Sequence, residues 1–117
     1  MGDTTISQFQ RERGRLNEIV LNHADQTIKR FFSLDAQAYR EGALPEKTKE
    51  LLGLVASLVL RCDDCVTYHL IRCHECGVSE DEMRETLAVG LVVGGSIVIP
   101  HLRRAAEKWE ELCQGTG

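Results

Sequence analysis

Ten consecutive residues, Leu51 to Leu60, read Leu-Leu-Gly-Leu-Val-Ala-Ser-Leu-Val-Leu and carry no charge. The β-branched alternation of a strand is missing there and elsewhere in the chain. The run therefore reads as a helix, and one apolar on all sides, which predicts central burial among other helices. This makes the fold class all-α. The 117 residues suit one ordinary domain, long enough to bury a real core, and helical chains of this size often add to that core by oligomerising.

Six helical segments with short connections are expected. The first covers about Ile6 to Ile19. The second, about His23 to Glu41, sets Ile28, Phe31, Phe32, Leu34, Ala38 and Tyr39 along one side, with Gly42 as a stop. Pro45 suits the first turn of a third helix reaching about Leu60. The fourth spans about Cys62 to Cys76, with Asp63 and Asp64 in its first turn, where negative charge meets the positive helix end, and Gly77 at its close. Ser79-Glu80-Asp81-Glu82 is a capping box that opens the fifth helix, to about Val93. Gly94-Gly95 breaks the chain before a sixth helix, to about Leu112, and a soft tail.

Composition narrows the function classes. The net charge is −4 and no Lys/Arg block stands out, which disfavours nucleic acid and anionic membranes. Leu51 to Leu60 and Leu87 to Pro100 are too short or too Gly-broken to span a bilayer. The start shows no secretory signal, and Met1-Gly2 is at most a weak hint of acylation. Five cysteines without such a signal suggest a cytoplasmic protein whose paired thiols serve redox chemistry or metal binding.

Cys62-Asp63-Asp64-Cys65 is the strongest local signal. On a helix, positions i and i+3 share a face, so the two sulfurs can approach disulfide distance. A helix N-terminus favours a thiolate, the reactive form, while the two aspartates oppose it. His69 lies one turn beyond Cys65 on that face and can act as a base for the thiol, directly or through water. The plainer alternative for His69 is local packing. For Glu50 it is a solvated first-turn carboxylate, which spacing alone favours.

The pattern Glu50, Cys62, Cys65, His69, followed by Ser79-Glu80-Asp81-Glu82-Met83 and Gly94-Gly95, resembles the AhpD-like alkylhydroperoxidase branch of the carboxymuconolactone decarboxylase family. The resemblance spans about Leu44 to Ser96. It implies a six-helix orthogonal bundle forming one domain over residues 1–117, with the motif-bearing core at 44–96 and a flexible tail at 113–117. It implies trimers or hexamers. It makes Cys65 the thiol that meets a hydroperoxide, Cys62 the one that resolves it as a disulfide, and Glu50 and His69 a proton relay. A dithiol, thioredoxin-like or lipoyl reductant would restore the thiols. No cofactor and no metal is implied. The family's well-known peroxidases carry a histidine before the second cysteine, where this chain has Asp64. An aspartate there can accept a hydrogen bond but cannot act as a cation beside a thiolate.

Cys73-His74-Glu75-Cys76 is a second CxxC on the same stripe. A zinc site of four cysteines is the rival reading. A rise of about 1.5 Å per residue separates Cys65 and Cys73 by roughly 12 Å, too far for one ion on one straight helix. Cys73 and Cys76 read as small core residues, or as an auxiliary pair relaying oxidation. Cys113 reads as an incidental thiol. His23, His74 and His101 read as surface or packing residues, and Trp109 and Phe31–Phe32 as core or subunit contacts. The expected function is thiol-dependent hydroperoxide reduction. A metal-binding or redox-sensing module and a non-redox lyase related to the decarboxylases are the alternatives.

Overall fold

A computed structural model describes residues 4–115. The acylation hint at Met1-Gly2 and the last two residues of the expected tail lie outside the described residues. Six α-helices follow in order: α1 (Thr5–His23), α2 (Gln26–Ala38), α3 (Glu46–Val59), α4 (Asp63–Glu75), α5 (Glu80–Gly94) and α6 (Ile99–Cys113). A 3₁₀ turn, Ser96–Val98, leads into α6, and no strand occurs among the described residues. None of these helices is long and apolar enough to cross a membrane. The chain divides into two compact units, Met1–Glu41 and Gly42–Gly117.

In the first unit, Thr4 caps α1 by accepting the Ser7 N–H at 3.0 Å. The break before α2 falls later than the apolar pattern suggests. Asp25 stands in extended backbone and accepts the Ile28 N–H at 3.0 Å. That bond satisfies one of the orphan donors of a helix start, so α2 begins at Gln26 and His23 closes α1. Ile28, Phe31, Phe32 and Leu34 of α2 are exposed.

In the second unit, α3 packs on α4 and α5, and α4 packs on α6. Leu54, Leu58, Val66, Leu70, Cys73, Met83, Val98 and Trp109 form the core. Fully buried side chains such as Leu54, Leu58 and Leu70 each stabilise the unit by about 1.5–3 kcal/mol. Gly90 lets α5 come close to α3: a methyl group there would sit 2.8 Å from Leu58 Cδ2. The all-round burial expected of α3 is not met. Glu50, Leu54, Ser57 and Leu58 are buried, but Leu52, Ala56 and Leu60 are exposed, because α4 and α5 cover the face that carries Glu50 and Leu54.

Two helix ends place the site. After α4, the Val78 N–H reaches Cys73 O and the Gly77 N–H reaches His74 O, with Gly77 at φ 80°. This is a Schellman ending with glycine where the left-handed backbone requires it. The same pattern ends α3: Cys62 N–H donates to Ser57 O at 3.0 Å and Arg61 N–H to Leu58 O at 3.0 Å. Here the left-handed position, φ 61°, is held by Arg61, at a cost of about 1–2 kcal/mol relative to glycine. The turn delivers the chain to Cys62 at the mouth of α4. The capping box at Ser79 and Glu82 forms in both directions, at 2.8 and 3.1 Å.

Candidate functional site

Cys62 is not the first residue of α4 but its N-cap, in extended backbone. Its sulfur accepts the Cys65 N–H at 3.2 Å. A sulfur in this place does what a serine oxygen does at an ordinary cap, and the donated N–H together with the helix end favours negative charge on it. Cys62 and Cys65 are joined as a disulfide, with Cα atoms 5.3 Å apart, inside the range such a bond needs. Cys65 is exposed and Cys62 half-buried, so an incoming reagent meets Cys65 first.

His69 follows Cys65 by one helical turn and is buried. Its Nδ1 lies 2.9 Å from Glu50 Oε1. Glu50 reaches it from α3 and is 1% exposed, so it is not the solvated first-turn carboxylate that spacing alone favours. A carboxylate only accepts hydrogen bonds. Bonding Glu50 therefore places the imidazole proton on Nδ1 and makes Nε2 the accepting nitrogen of the ring. The Tyr68 ring stands edge-on to the His69 ring, 5.2 Å between centroids.

Burying a carboxylate costs several kcal/mol unless its charge is met. Arg72 meets it: Nε lies 3.5 Å from Glu50 Oε2 and one Nη lies 3.2 Å from Glu46 Oε2. A further Nη bonds Glu75. The hydrogen bond to Glu75 raises the guanidinium pKa, partial burial opposes this, and the Cys76 and Glu50 charges raise it further. Arg72 was absent from the sequence-derived site. Its signal was available, since it lies three residues beyond His69 while Glu46 and Glu50 stand four apart on α3, the spacing that puts side chains on one helix face.

The first turn of α4 is anchored to α6. Asp63 Oδ1 lies 2.7 Å from His101 Nδ1, and Oδ2 accepts from Arg104 Nε at 2.9 Å. Partial burial pushes the Asp63 carboxyl up, but the His101 hydrogen bond and the Arg104 charge outweigh it and hold the group low. His101, expected at the surface or in packing, is thus a partner of the CxxC segment. Nothing local in the sequence links residues 38 and 41 positions apart.

The second cysteine pair is split by its environment. Cys73 is fully buried in the core. Burial first, then the Glu50 and Cys76 charges, push its thiol up to about 12. Cys76 is half-buried, its Sγ 3.8 Å from Glu46 Oε1; burial again leads in raising its pKa. Both are poor thiolates at neutral pH. Among the described residues no three His, Cys, Asp or Glu side chains converge as metal ligands would. Trp109 lies in the core, its ring edge-on to His74 at 5.7 Å. Cys113 is exposed.

Comparison with known proteins adds independent observations. The model of the carboxymuconolactone decarboxylase family matches residues 25–108. A protein from Thermotoga maritima, TM1620, superposes with a TM-score of 0.90 and 58% identity, covering 92% of this chain and 94% of that one. A second structure of it, at 1.56 Å, describes a carboxymuconolactone decarboxylase family protein for which a part in antioxidative response has been suggested; it superposes with a TM-score of 0.88. A Legionella pneumophila protein of the same family, crystallised in the apo form, shares the fold, with a TM-score of 0.85 at 24% identity over 94% of this chain and 98% of that one. An uncharacterized protein of Cupriavidus necator, H16_B0147, is 25% identical over 92 residues, 79% of this chain and 78% of its own length.

Proposed function

The chain belongs to the carboxymuconolactone decarboxylase family, and from that premise we propose that it is a thiol-dependent oxidoreductase that reduces hydroperoxides through a Cys62–Cys65 dithiol/disulfide cycle. One observation carries this reading. An exposed Cys65, bonded to Cys62, sits one turn from a histidine that a buried glutamate orients. The antioxidative role suggested for the Thermotoga maritima protein points the same way.

In the first step His69 takes the Cys65 proton, directly or through water. The thiolate attacks the terminal peroxide oxygen. The O–O bond breaks, the alkoxide leaves and takes a proton to become an alcohol, and Cys65 is oxidised to a sulfenic acid. The Cys62 sulfur then attacks Cys65; a disulfide forms and water leaves. Finally an external dithiol of lipoyl or thioredoxin-like chemistry attacks the exposed Cys65 sulfur. The Cys62 thiolate leaves onto its cap position, and the second external thiol completes the exchange, so the reductant becomes the disulfide and both cysteines regain protons.

Reduced protein treated with one equivalent of cumene hydroperoxide should lose two thiols per chain, and peptide mapping should join Cys62 to Cys65. Native-state alkylation at pH 8 should leave Cys73 unlabelled, since burial keeps it a thiol there. Two thiols unmoved by peroxide, or a map that joins other cysteines, would remove the reading. Stoichiometric zinc with peroxide-indifferent thiols would replace it with the metal module.

We further propose that the protein is a homo-oligomer, a trimer or hexamer. Leu60, Val92 and Val93 are 76%, 83% and 67% exposed, apolar side chains whose burial against a second copy of this chain would favour association. Sedimentation equilibrium should return three or six chains; a monomer at micromolar concentration would overturn this.

A further inference from the structure

We propose that His101 and Arg104 are positioning residues of the redox centre: by holding both oxygens of Asp63 they cancel the negative charge set between the two cysteines. The proposal rests on the redox reading of Cys62 and Cys65. Asp63 occupies the first turn of α4, directly after the cap sulfur. A bare carboxylate there supports the helix start but repels a neighbouring thiolate. Asp64 shares that turn and is exposed, where water and salt screen its charge.

Asp63 is treated differently by the fold. His101 takes one oxygen at 2.7 Å and Arg104 the other at 2.9 Å. An Arg104 Nη lies 3.3 Å from His101 Nδ1, so the three groups form one cluster. The Asp63 backbone is tied as well, its carbonyl accepting from Thr67 Oγ1 at 2.9 Å. The carboxylate is therefore paired at both oxygens with α6. Both partners come from α6, which takes no other part in the site, and neither bond is needed to form α4, whose own N-cap is Cys62.

The consequence is a sign rule. Removing the guanidinium uncovers the aspartate charge, makes thiolates less favourable and shifts the equilibrium toward the disulfide. Removing the aspartate charge leaves the guanidinium unopposed and shifts it toward the dithiol. Both side chains of the ion pair are partly exposed, 40% for Asp63 and 48% for Arg104, so solvent screening keeps each shift to about threefold.

The test is the thiol–disulfide equilibrium of the full chain against dithiothreitol at pH 7, for wild type, Arg104→Gln, Asp63→Asn, the double variant and Arg104→Lys. Arg104→Gln should move it about threefold toward disulfide and Asp63→Asn about threefold toward dithiol, each about 15 mV at 29.6 mV per tenfold. The double variant should return near wild type, and Arg104→Lys, which keeps the charge, should lie close to wild type. Iodoacetamide labelling of the reduced protein should slow in Arg104→Gln and quicken in Asp63→Asn. Shifts of both single variants in one direction, or none, would overturn the proposal, since lost packing cannot give opposite signs. A wild-type protein that forms no reversible Cys62–Cys65 disulfide would instead sink the redox reading itself, and this proposal with it.

Discussion

The Cys65→Ser variant is expected to lose hydroperoxide reduction by on the order of 10³-fold or more, the scale of removing a covalent nucleophile. A serine hydroxyl is neither deprotonated near pH 7 nor able to accept an oxygen and return it through a disulfide. Its partner variant should behave differently. Cys62→Ser retains the exposed attacking thiol and lacks only the resolving one. It should consume one peroxide per chain and stop, with Cys65 held as a sulfenic acid that a 1,3-dicarbonyl reagent captures and mass spectrometry locates. Stopped-flow peroxide consumption and intact mass read both variants. If Cys62→Ser were inert and Cys65→Ser completed one turnover, the two roles would be exchanged, a reversal the helix-end position of the Cys62 sulfur makes physically reasonable. Turnover of a lactone substrate, with release of carbon dioxide, that survived Cys65→Ser would assign the chain to the lyase chemistry of its family instead.

Glu50→Gln should slow formation of the disulfide by about 10²–10⁴-fold while leaving the fold in place. Glutamine is nearly the same size as glutamate, so the buried space beside Leu54 is kept. What changes is the hydrogen bond to His69. A carboxylate forces the proton onto Nδ1; an amide can offer its NH₂ to Nδ1 instead and leave the proton on Nε2, where a base is needed. A misplaced imidazole proton is worth up to about 10⁴-fold in catalytic triads, and general base catalysis as a whole about 10²–10⁴-fold. The rate of thiol loss under excess peroxide, with circular dichroism and thermal melting as controls, reads the effect. A variant that folds and reacts within threefold of wild type would remove Glu50 and the relay from the mechanism. Loss of the folded state would point to the other role of Glu50, the charge that accompanies Arg72 into a buried place. In that case His69→Gln, which leaves the Glu50–Arg72 pair intact, carries the test of the relay.

The residues of the candidate site were legible to different degrees. Cys62 and Cys65 announce themselves by spacing, because the chemistry of a CxxC is local and one helical turn sets its geometry. Glu50 did not: its spacing favoured a solvated carboxylate, and family resemblance alone raised it, until packing of α3 on α4 put it 2.9 Å from His69. Arg72 carries no motif of its own, since an arginine on a helix is ordinarily a solvated side chain. It becomes a site residue only when a neighbouring helix brings Glu46 and Glu50 to it. Cys73 and Cys76 look like a repeat of the Cys62–Cys65 pair in the sequence. The difference lies in depth, since Cys73 is in the core and Cys65 faces solvent.

Local chemistry was readable without coordinates. The capping box at Ser79, the break at Gly94-Gly95, the six helices and the CxxC spacing all depend on residues within a turn or two of one another, where propensity and hydrogen bonding act directly. Partnerships across helices were not. The exposed side of α3, the cap role of the Cys62 sulfur beside a left-handed Arg61, and the capture of Asp63 by His101 and Arg104 follow from how helices pack. The hydrophobic effect that drives such packing is non-directional: it specifies which faces are buried but not which charged side chains meet at the edges of the buried surface.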